Sequence, residues 1–390
     1  MYIYRLTNEL ARRGHKVDVI HCKDAYMLLR TERSLGDFPN HSNVRTYPLD
    51  SWAGPLSPVL TQQTGVPFFK RGVIKGLLNS ESYDVIHYHN MSLVGITALA
   101  YGKAVKLNTT HEHWLVCPVH VLWKFNREVC SERSCTLCQI RAGRPPQFWR
   151  HTGLLEKMLR HVDCFISPSR FSMKKQLELG LQIPMVHLPY FLPKRSHSSP
   201  AENGNGRPRP KPYFLFVGRL EKIKGVQNLI PIFKERREYD LLIAGAGEYE
   251  QTLKGLAAGS DNIVFLGKLN QERLTEFYGS ALAVIVPSIC YETFGIIIIE
   301  AFAMKTPVIV NNLGALPEVV EDSGGGIVYN NDVELKKALD VIAQNPGLRN
   351  ELGLKGHNAY LELWTEDAHM RQYLALVSRV QQMGKSPQTV

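Results

Sequence analysis

The 390-residue sequence contains no long hydrophobic run. Its clearest aliphatic stretch, residues 296–299, ends at Glu300, whereas a helix that crosses a bilayer needs roughly 18 apolar residues. Residues 1–15 alternate apolar with charged side chains and lack the apolar core and cleavage signal of a secretory peptide. We therefore expect a cytoplasmic protein without a membrane-spanning segment.

Acidic residues are scarce in the N-terminal half of the chain. Residues 1–190 hold 24 Lys and Arg against 14 Asp and Glu, whereas residues 191–390 hold 22 of each kind, so the whole net charge of +10 lies in the N-terminal half. This excess favours contact with anions. The seven cysteines are odd in number and clustered, which favours free or metal-bound thiols over a disulfide framework.

Short apolar runs alternate with longer helical patterns on both sides of a polar segment. The runs lie at residues 17–20, 85–87, 104–107, 164–167, 185–188, 213–217, 241–244, 263–265, 283–286 and 307–310. Strands that are apolar on both faces and alternate with helices form parallel sheets covered on both sides. The pattern predicts an α/β protein with two doubly wound, Rossmann-like domains facing a cleft.

Composition sets the expected domain boundaries. Residues 192–212 are rich in Pro, Gly, Ser, Asn and charge, which predicts an inter-domain linker. The two domains are then residues 1–191, with a cysteine-rich insertion at 117–138, and residues 213–363. Residues 364–390 are expected to form a final helix that crosses back to the N-terminal domain.

The first domain begins unusually. A Rossmann-like half normally opens with a buried strand and a Gly-rich turn, whereas here an amphipathic helical pattern at residues 2–13 comes first and Gly14 ends it. We expect the first strand of this domain to be missing, through a late start codon, a trimmed sequence or a variant fold that lacks it.

Two glycines and two cations follow the apolar run at 213–217. Gly218, Arg219 and then Lys224 with Gly225 would turn the backbone at the carboxyl end of a strand, where open α/β sheets bind ligands. The two cations predict a phosphate site there, the alternative being an ordinary solvated basic loop.

The start of an apolar helix forms a second candidate site. The free N–H groups of Phe294, Gly295 and Ile296 would face an anion at the positive end of the helix dipole. Glu300 interrupts this helix, and a carboxylate there is costly unless it is hydrogen-bonded. Its partners are either the vicinal hydroxyls of a sugar, or a core cation or water. Glu292, eight residues earlier, would reach another part of the same ligand.

One histidine and four cysteines complete the set of candidate residues. His111 follows a predicted strand and has His87, His89 and His113 near it in the pattern, which favours a functional role over a structural one. Four cysteines within 22 residues would hold a structural zinc, less readily an iron–sulfur cluster, or would pack as reduced thiols. They are Cys117, Cys130, Cys135 and Cys138.

These motifs together resemble the retaining GT-B glycosyltransferases of family 4, also called glycosyl transferases group 1. The resemblance rests on the glycine and cation turn at 218–225, on the spacing of Glu292 and Glu300, and on residues 307–309 and 314–320. It is strongest over residues 213–380. In the N-terminal half, residues 84–90 and 109–111 fall where the family places the cleft loops of its first domain.

The resemblance implies a role for each candidate residue. Glu300 would hold the nucleotide ribose, and Glu292 and His111 would act on the transferred sugar as catalytic residues. The residues expected around the donor diphosphate are Gly218, Arg219, Lys224, Phe294, Gly295 and Ile296.

No two aspartates stand two positions apart in the sequence. Metal-dependent nucleotide-sugar transferases of the other common fold use such an Asp-x-Asp pair to hold a divalent ion. We therefore expect transfer without a catalytic metal, because protein cations and a helix N-terminus would meet the diphosphate charge.

The expected function is retaining transfer of a hexose from a UDP- or GDP-sugar to a lipid-linked or glycan acceptor. The basic N-terminal half predicts peripheral attachment to the inner face of an anionic membrane, the alternative being a charge that serves only general solubility. Two alternatives remain, namely a nucleotide-sugar epimerase of the same fold and a nucleic-acid-binding protein with a metal-stabilised cysteine cluster. The second of these lacks both a second C-x2-C pair and an aromatic ribonucleoprotein motif, so no nucleic-acid partner is expected.

Overall fold

The structure is a computed structural model that describes residues 1–25, 39–80, 82–194 and 209–385. The chain divides into two compact units. Unit 1 consists of Met1–Pro168, Met173–Leu188 and Met370–Val390, and unit 2 of Ser169–Ser172 and Pro189–His369. Of the predicted linker at 192–212, residues 195–208 lie outside the described residues. The units divide after Leu188 rather than at residue 191, and residues 189–194 group with unit 2.

Unit 2 is built on a six-stranded parallel sheet with the order β11-β10-β9-β12-β13-β14. The strands are β9 (Tyr213–Val217), β10 (Asp240–Ala244), β11 (Ile263–Gly267), β12 (Val284–Val286), β13 (Val308–Asn311) and β14 (Gly326–Tyr329). The central strands are buried along nearly their whole length, because helices cover both faces of a parallel sheet. This is the doubly wound arrangement that the sequence predicts.

Unit 1 contains a four-stranded parallel sheet with the order β3-β4-β7-β8 and a separate parallel pair, β1-β2. A short antiparallel hairpin, β5-β6, lies between β4 and β7 in the sequence. The strands are β1 (Val17–Cys22), β2 (Val44–Leu49), β3 (Val85–His89), β4 (Val105–Thr109), β5 (Trp123–Lys124), β6 (Glu128–Val129), β7 (Cys164–Ser167) and β8 (Met185–His187). Within the described residues no strand joins the two parallel sheets, which is the position that a first Rossmann strand would occupy.

Fourteen α-helices have both ends within the described residues. They are α1 (Tyr2–Arg12), α2 (Leu56–Thr64), α3 (Arg71–Ser80), α4 (Cys135–Arg141), α5 (Leu154–Leu159), α6 (Arg170–Glu178), α7 (Val226–Glu235), α8 (Glu250–Leu256), α9 (Gln271–Ser280), α10 (Ile296–Ala303), α11 (Leu316–Ser323), α12 (Asp332–Gln344), α13 (Pro346–Leu363) and α14 (Glu366–Lys385). None of them is long and apolar enough to cross a membrane.

The final helix belongs to both units. α14 begins at Glu366 rather than at Trp364, and its residues from Met370 onward group with unit 1. Tyr373 on this helix contacts His87 of β3, with 3.1 Å between the tyrosine oxygen and a ring nitrogen.

Close packing of two helices in unit 2 depends on glycine. A Cβ atom at Gly353 of α13 would lie 2.1 Å from the carbonyl oxygen of Lys305, just beyond α10. Gly255 of α8 is the opposite case, because a Cβ atom there meets nothing within 4 Å. The same substitution at these two helical positions therefore has opposite consequences.

We predict that Gly353→Ala lowers the melting temperature, because the overlap forces a backbone shift that costs about 1–3 kcal/mol. Gly255→Ala is the matched control and should raise it slightly, since alanine is favoured over glycine in a helix by about 0.5–1 kcal/mol. Thermal unfolding of both variants beside the unmodified chain checks this. A shift of the same sign in both would contradict the packing described here.

Candidate functional site

The candidate site of unit 2 lies where the strand order of the six-stranded sheet reverses. β9 and β12 are neighbours in space although two strands separate them in the sequence. The loops that follow them meet, and Ile289 N–H donates a hydrogen bond of 2.9 Å to the Ile223 carbonyl. Such a reversal opens a crevice at the carboxyl ends of the strands. The structure thus brings the two loops singled out in the sequence to one place.

Glycine makes this close approach of the loops feasible. Gly225 has a positive φ of 76°, which side chains other than glycine rarely adopt. A Cβ atom at this position would lie 1.9 Å from the carbonyl oxygen of Pro287. The loop after β9 can therefore lie directly against the loop after β12 only with glycine at position 225.

An ion pair joins the two loops. Lys224 Nζ lies 2.6 Å from Glu292 Oε1, and each side chain is 19% exposed. Ser288 Oγ donates a hydrogen bond of 2.7 Å to the same carboxylate oxygen. Burial opposes the charge on both partners, but their mutual attraction outweighs it, so the pKa of Lys224 is raised and that of Glu292 is lowered. Both groups are charged at neutral pH.

Arg219 supplies a second cation beside this pair. Its guanidinium contacts Glu221 at 2.6 Å and its side chain is 70% exposed. Its charge adds to the influences that lower the pKa of Glu292. Unlike Lys224, this cation is open to solvent and can meet an anionic ligand without leaving a buried partner behind.

The apolar helix α10 begins at Ile296, directly after the loop that carries Glu292. Gly295 adopts a positive φ of 97° and precedes the first turn. Phe294 is buried and packs edge-on against Tyr190, with 5.4 Å between the ring centroids. The helix N-terminus is thereby fixed at the carboxyl edge of the sheet, where its first N–H groups favour negative charge.

Glu300 lies in the second turn of α10 and is half-buried. Its Oε2 accepts a hydrogen bond of 2.9 Å from the hydroxyl of Tyr278 on α9. One protein partner of this carboxylate is therefore a tyrosine hydroxyl. A carboxylate has two oxygens and can accept several hydrogen bonds.

The histidines of unit 1 gather where β3 and β4 end. His89 Nδ1 and His111 Nε2 are 2.7 Å apart, and His87 Nε2 lies 2.8 Å from the Thr109 hydroxyl. Tyr2 of α1 packs against His111, with 5.3 Å between the ring centroids. The 2.7 Å contact has room for one hydrogen, so at most one of the two facing nitrogens carries a proton.

Burial keeps this pair uncharged at neutral pH. It lowers the pKa of His111 to about 4. The pKa of His89 is held well below its usual value by burial first, and then by the neighbouring His87 and His111. A neutral imidazole can accept a hydrogen bond from a bound hydroxyl, or donate one to it, without placing a buried charge beside it.

Two family descriptions divide the chain between them. Residues 1–189 match the family described as Glycosyltransferase Family 4, and residues 200–359 match the one described as Glycosyl transferases group 1. The chain belongs to the group 1, family 4 glycosyltransferases. The family inferred from the motifs at 218–225 and 292–320 is thus confirmed.

Individual relatives of this glycosyltransferase match over part of their length. An uncharacterised glycosyltransferase of Methanocaldococcus jannaschii is 38% identical over 143 residues, which is 35% of this chain and 36% of the relative. A GDP-mannose-dependent monoacylated alpha-(1-6)-phosphatidylinositol monomannoside mannosyltransferase of Corynebacterium glutamicum is 28% identical over 52% of this chain and 58% of its own. The chain therefore spans between about a third and three fifths of the length of these two curated relatives.

A solved structure matches over nearly the whole glycosyltransferase. Sucrose-phosphate synthase from Thermosynechococcus elongatus superposes with a TM-score of 0.73 at 22% identity, covering 98% of this chain and 93% of that one. The likeness confirms the GT-B fold with its parallel sheets. At this identity it bears on the fold alone.

The four clustered cysteines line one small cavity in unit 1, together with Arg133 and Trp123. Burial raises the pKa of the Cys117, Cys130 and Cys135 thiols, and neighbouring thiols raise it further. However, the parts of the chain that the structure describes contain no three His, Cys, Asp or Glu side chains arranged to hold a metal ion. The zinc site stays a prediction, and it requires the thiols to turn toward a common centre.

Sequence reasoning missed the partners of the candidate residues. Lys224 and Glu292 stand 68 positions apart, and Tyr278 stands 22 positions before Glu300. No local pattern marks such pairs. The strand order would have indicated the first, since it predicts that the loops after β9 and β12 meet.

The neutral histidines predict an acid-sensitive unit 1. A group with a lowered pKa is less easily protonated in the folded chain, so stability is lost as pH falls below about 6.5, the ordinary histidine pKa, toward the folded pKa. We expect the melting temperature to fall between pH 6.5 and 5, and His111→Asn to flatten this fall. His15→Asn, at an exposed position, is the control. An equal slope in the two variants would argue against a buried neutral His111.

The zinc prediction is checked by metal analysis. Protein purified without chelator should hold about one zinc per chain, because four thiolates suit a structural zinc. Cys135→Ser combined with Cys138→Ser should remove that zinc, whereas Cys22→Ser, outside the cavity, should not. If the purified protein contains no metal, the zinc site is excluded and the four cysteines pack as reduced thiols.

Proposed function

We propose that this glycosyltransferase transfers a hexose from a nucleoside diphosphate sugar to a hydroxyl of a lipid-linked or glycan acceptor, with retention at the anomeric carbon and without a catalytic metal. The observation that carries the proposal is the meeting of Arg219, Lys224 and Glu292 at the reversal of the strand order. The bond from the sugar to the diphosphate oxygen breaks, a bond from the sugar to the acceptor oxygen forms, and the proton of the acceptor hydroxyl passes to the departing diphosphate.

The arrangement of charge supports a diphosphate leaving group. The nucleoside diphosphate gains negative charge as it departs, and fixed cations lower the barrier most when they require no rearrangement. Lys224 is held by Glu292 before any ligand arrives, whereas Arg219 is solvent-exposed. The N–H groups at the start of α10 add the partial positive charge of the helix N-terminus.

Glu292 and His111 are proposed to act on the transferred sugar, and Glu300 on the ribose. The lowered pKa of Glu292 keeps this residue an acceptor of hydrogen bonds from sugar hydroxyls. Its pairing with Lys224 also links sugar and diphosphate recognition, because an anion that attracts Lys224 also changes the charge balance around Glu292. His111, kept neutral by burial, would hydrogen-bond a hydroxyl.

A lipid-linked acceptor is supported by one relative and by the charge of the chain. The Corynebacterium relative acts, by its name, on a phosphatidylinositol mannoside and takes GDP-mannose. A lipid-linked acceptor also suits the basic N-terminal half. The two alternative functions, an epimerase and a nucleic-acid-binding protein, receive no support from the family descriptions or from the relatives.

We predict that Arg219→Ala weakens binding of the cognate nucleoside diphosphate by about 1.5–3 kcal/mol, the usual value of a charge-assisted hydrogen bond. Isothermal titration with UDP, GDP and ADP measures this and identifies the base. Lys222→Ala is the matched control, because Lys222 is an exposed cation of the same loop that the proposal does not place on the ligand.

Two results would overturn the donor site. The first is an unchanged affinity of Arg219→Ala for the nucleoside diphosphate. The second is a loss of affinity in Lys222→Ala as large as that in Arg219→Ala, because general charge attraction would then explain the binding. Lys224→Ala is the weaker test, since removing this cation leaves the Glu292 carboxylate without its partner and threatens the fold itself.

A further inference from the structure

Large apolar side chains are exposed on two neighbouring segments of unit 1. Of the seventeen exposed large hydrophobic residues in the described part of the chain, ten lie within residues 51–80 and 133–150. They are Trp52, Leu56, Val59, Leu60, Phe68, Phe69, Val73, Leu137, Ile140 and Phe148. Such clustering differs from the scattered single exposures of an ordinary surface.

Two helices of these segments have their apolar residues on the outside. In α2 the exposed residues are Leu56, Val59 and Leu60, which share one face, while the buried residues are Ser57, Pro58 and Thr61. In α4, Leu137 and Ile140 are exposed and Gln139 is buried. A surface helix of a globular protein normally does the reverse. The exposed apolar faces of α2 and α4 therefore favour contact with an apolar partner or phase.

The two segments lie side by side. The indole N–H of Trp149 donates a hydrogen bond of 3.0 Å to the Gln62 carbonyl, and Gln63 donates one of 3.4 Å to the Pro145 carbonyl. Trp52 packs edge-on against Phe69, with 5.2 Å between the ring centroids. We name the exposed side chains of residues 51–80 and 133–150 the basic apolar surface.

The charge on these segments has one sign. They contain seven Lys and Arg and no Asp or Glu, so they supply seven of the ten units of net charge on the chain. Lys70 is buried and pairs with Asp24, and Arg150 is half-buried and packs over Trp114 and Trp149. The exposed cations are Arg71, Lys75, Arg133, Arg141 and Arg144.

We propose that the basic apolar surface docks this glycosyltransferase onto the surface of an anionic lipid bilayer. Exposed aliphatic and aromatic side chains beside cations, with no carboxylate within the two segments themselves, form the combination that binds an anionic interface. A second copy of the chain is disfavoured as the occupant, because like surfaces would set these cations against one another. The proposal extends the proposed function by naming how a lipid-linked acceptor is reached, but its test requires no transfer.

The position of a tryptophan allows a direct test. Trp52 is 89% exposed, whereas the other four tryptophans of the chain are buried. Insertion of the surface into a bilayer should shift the emission of Trp52 to shorter wavelength. The shift should occur with vesicles of phosphatidylcholine and phosphatidylglycerol, be absent with phosphatidylcholine alone, and be lost in Trp52→Phe.

Co-sedimentation with the same vesicles measures the affinity. At low salt the chain should pellet with the anionic vesicles, and about 0.5 M salt should release it, because screening shortens the range of the attraction. The triple variant Leu56→Ser, Leu60→Ser and Phe68→Ser should lose binding at least tenfold. Its matched control, with exposed apolar residues changed elsewhere, is Val333→Ser, Leu354→Ser and Leu361→Ser.

The contribution of charge has its own matched pair of variants. Arg71→Gln with Lys75→Gln should weaken binding by about 25-fold, at about fivefold per cation, whereas Arg237→Gln with Arg273→Gln, both exposed in unit 2, should change it little. Equal binding to both vesicle types, no binding to either, or equal losses in the variants and their controls would each overturn the proposal. Nucleoside diphosphate affinity, measured on the same proteins, shows separately whether the donor site holds.

Discussion

The ion pair between Lys224 and Glu292 is the interaction on which the candidate site of unit 2 depends. It ties the loop after β9 to the loop after β12 at the one place where the strand order reverses. A buried carboxylate beside the start of α10 would otherwise be costly. Because the pair is formed before a ligand arrives, the lysine is already positioned, and it remains at the edge of the crevice where a second anion can share it.

The fold was predictable from the sequence where strands are apolar on both faces. β7 and β9 have the expected bounds, and β10, β12 and β13 differ from them by one residue or two. β2 was missed because Arg45 and Pro48 interrupt its apolar pattern, which reflects an edge strand with exposed positions. β14 was missed because it opens with glycine. Edge strands carry a weaker hydrophobic signal than buried ones.

The candidate site was predictable in its residues but not in its pairings. Glycine, cation and carboxylate spacing located both loops around β9 and β12, because strand ends in open α/β sheets are where ligands bind. That Lys224 meets Glu292, that Tyr278 meets Glu300 and that His89 meets His111 follows from tertiary structure. Such pairs change the chemistry, since a lysine held by a carboxylate and a histidine held neutral behave differently from free groups.

Net charge, like the side-chain pairs, could be read from the sequence without its position on the surface. The whole excess of +10 lies in the N-terminal half of the sequence, which indicates an attraction for anions but does not identify the surface that binds them. The structure locates most of the excess on two segments whose helices turn apolar residues outward. A helix with this pattern would be assigned to the core from its periodicity alone, because periodicity defines the faces of a helix without saying which of them is buried. In the structure Ser57 and Gln139 are buried while their apolar neighbours are exposed, so the apolar faces of these helices point outward. Because the apolar faces of these helices are exposed, the basic charge of this region lies beside apolar side chains on one surface.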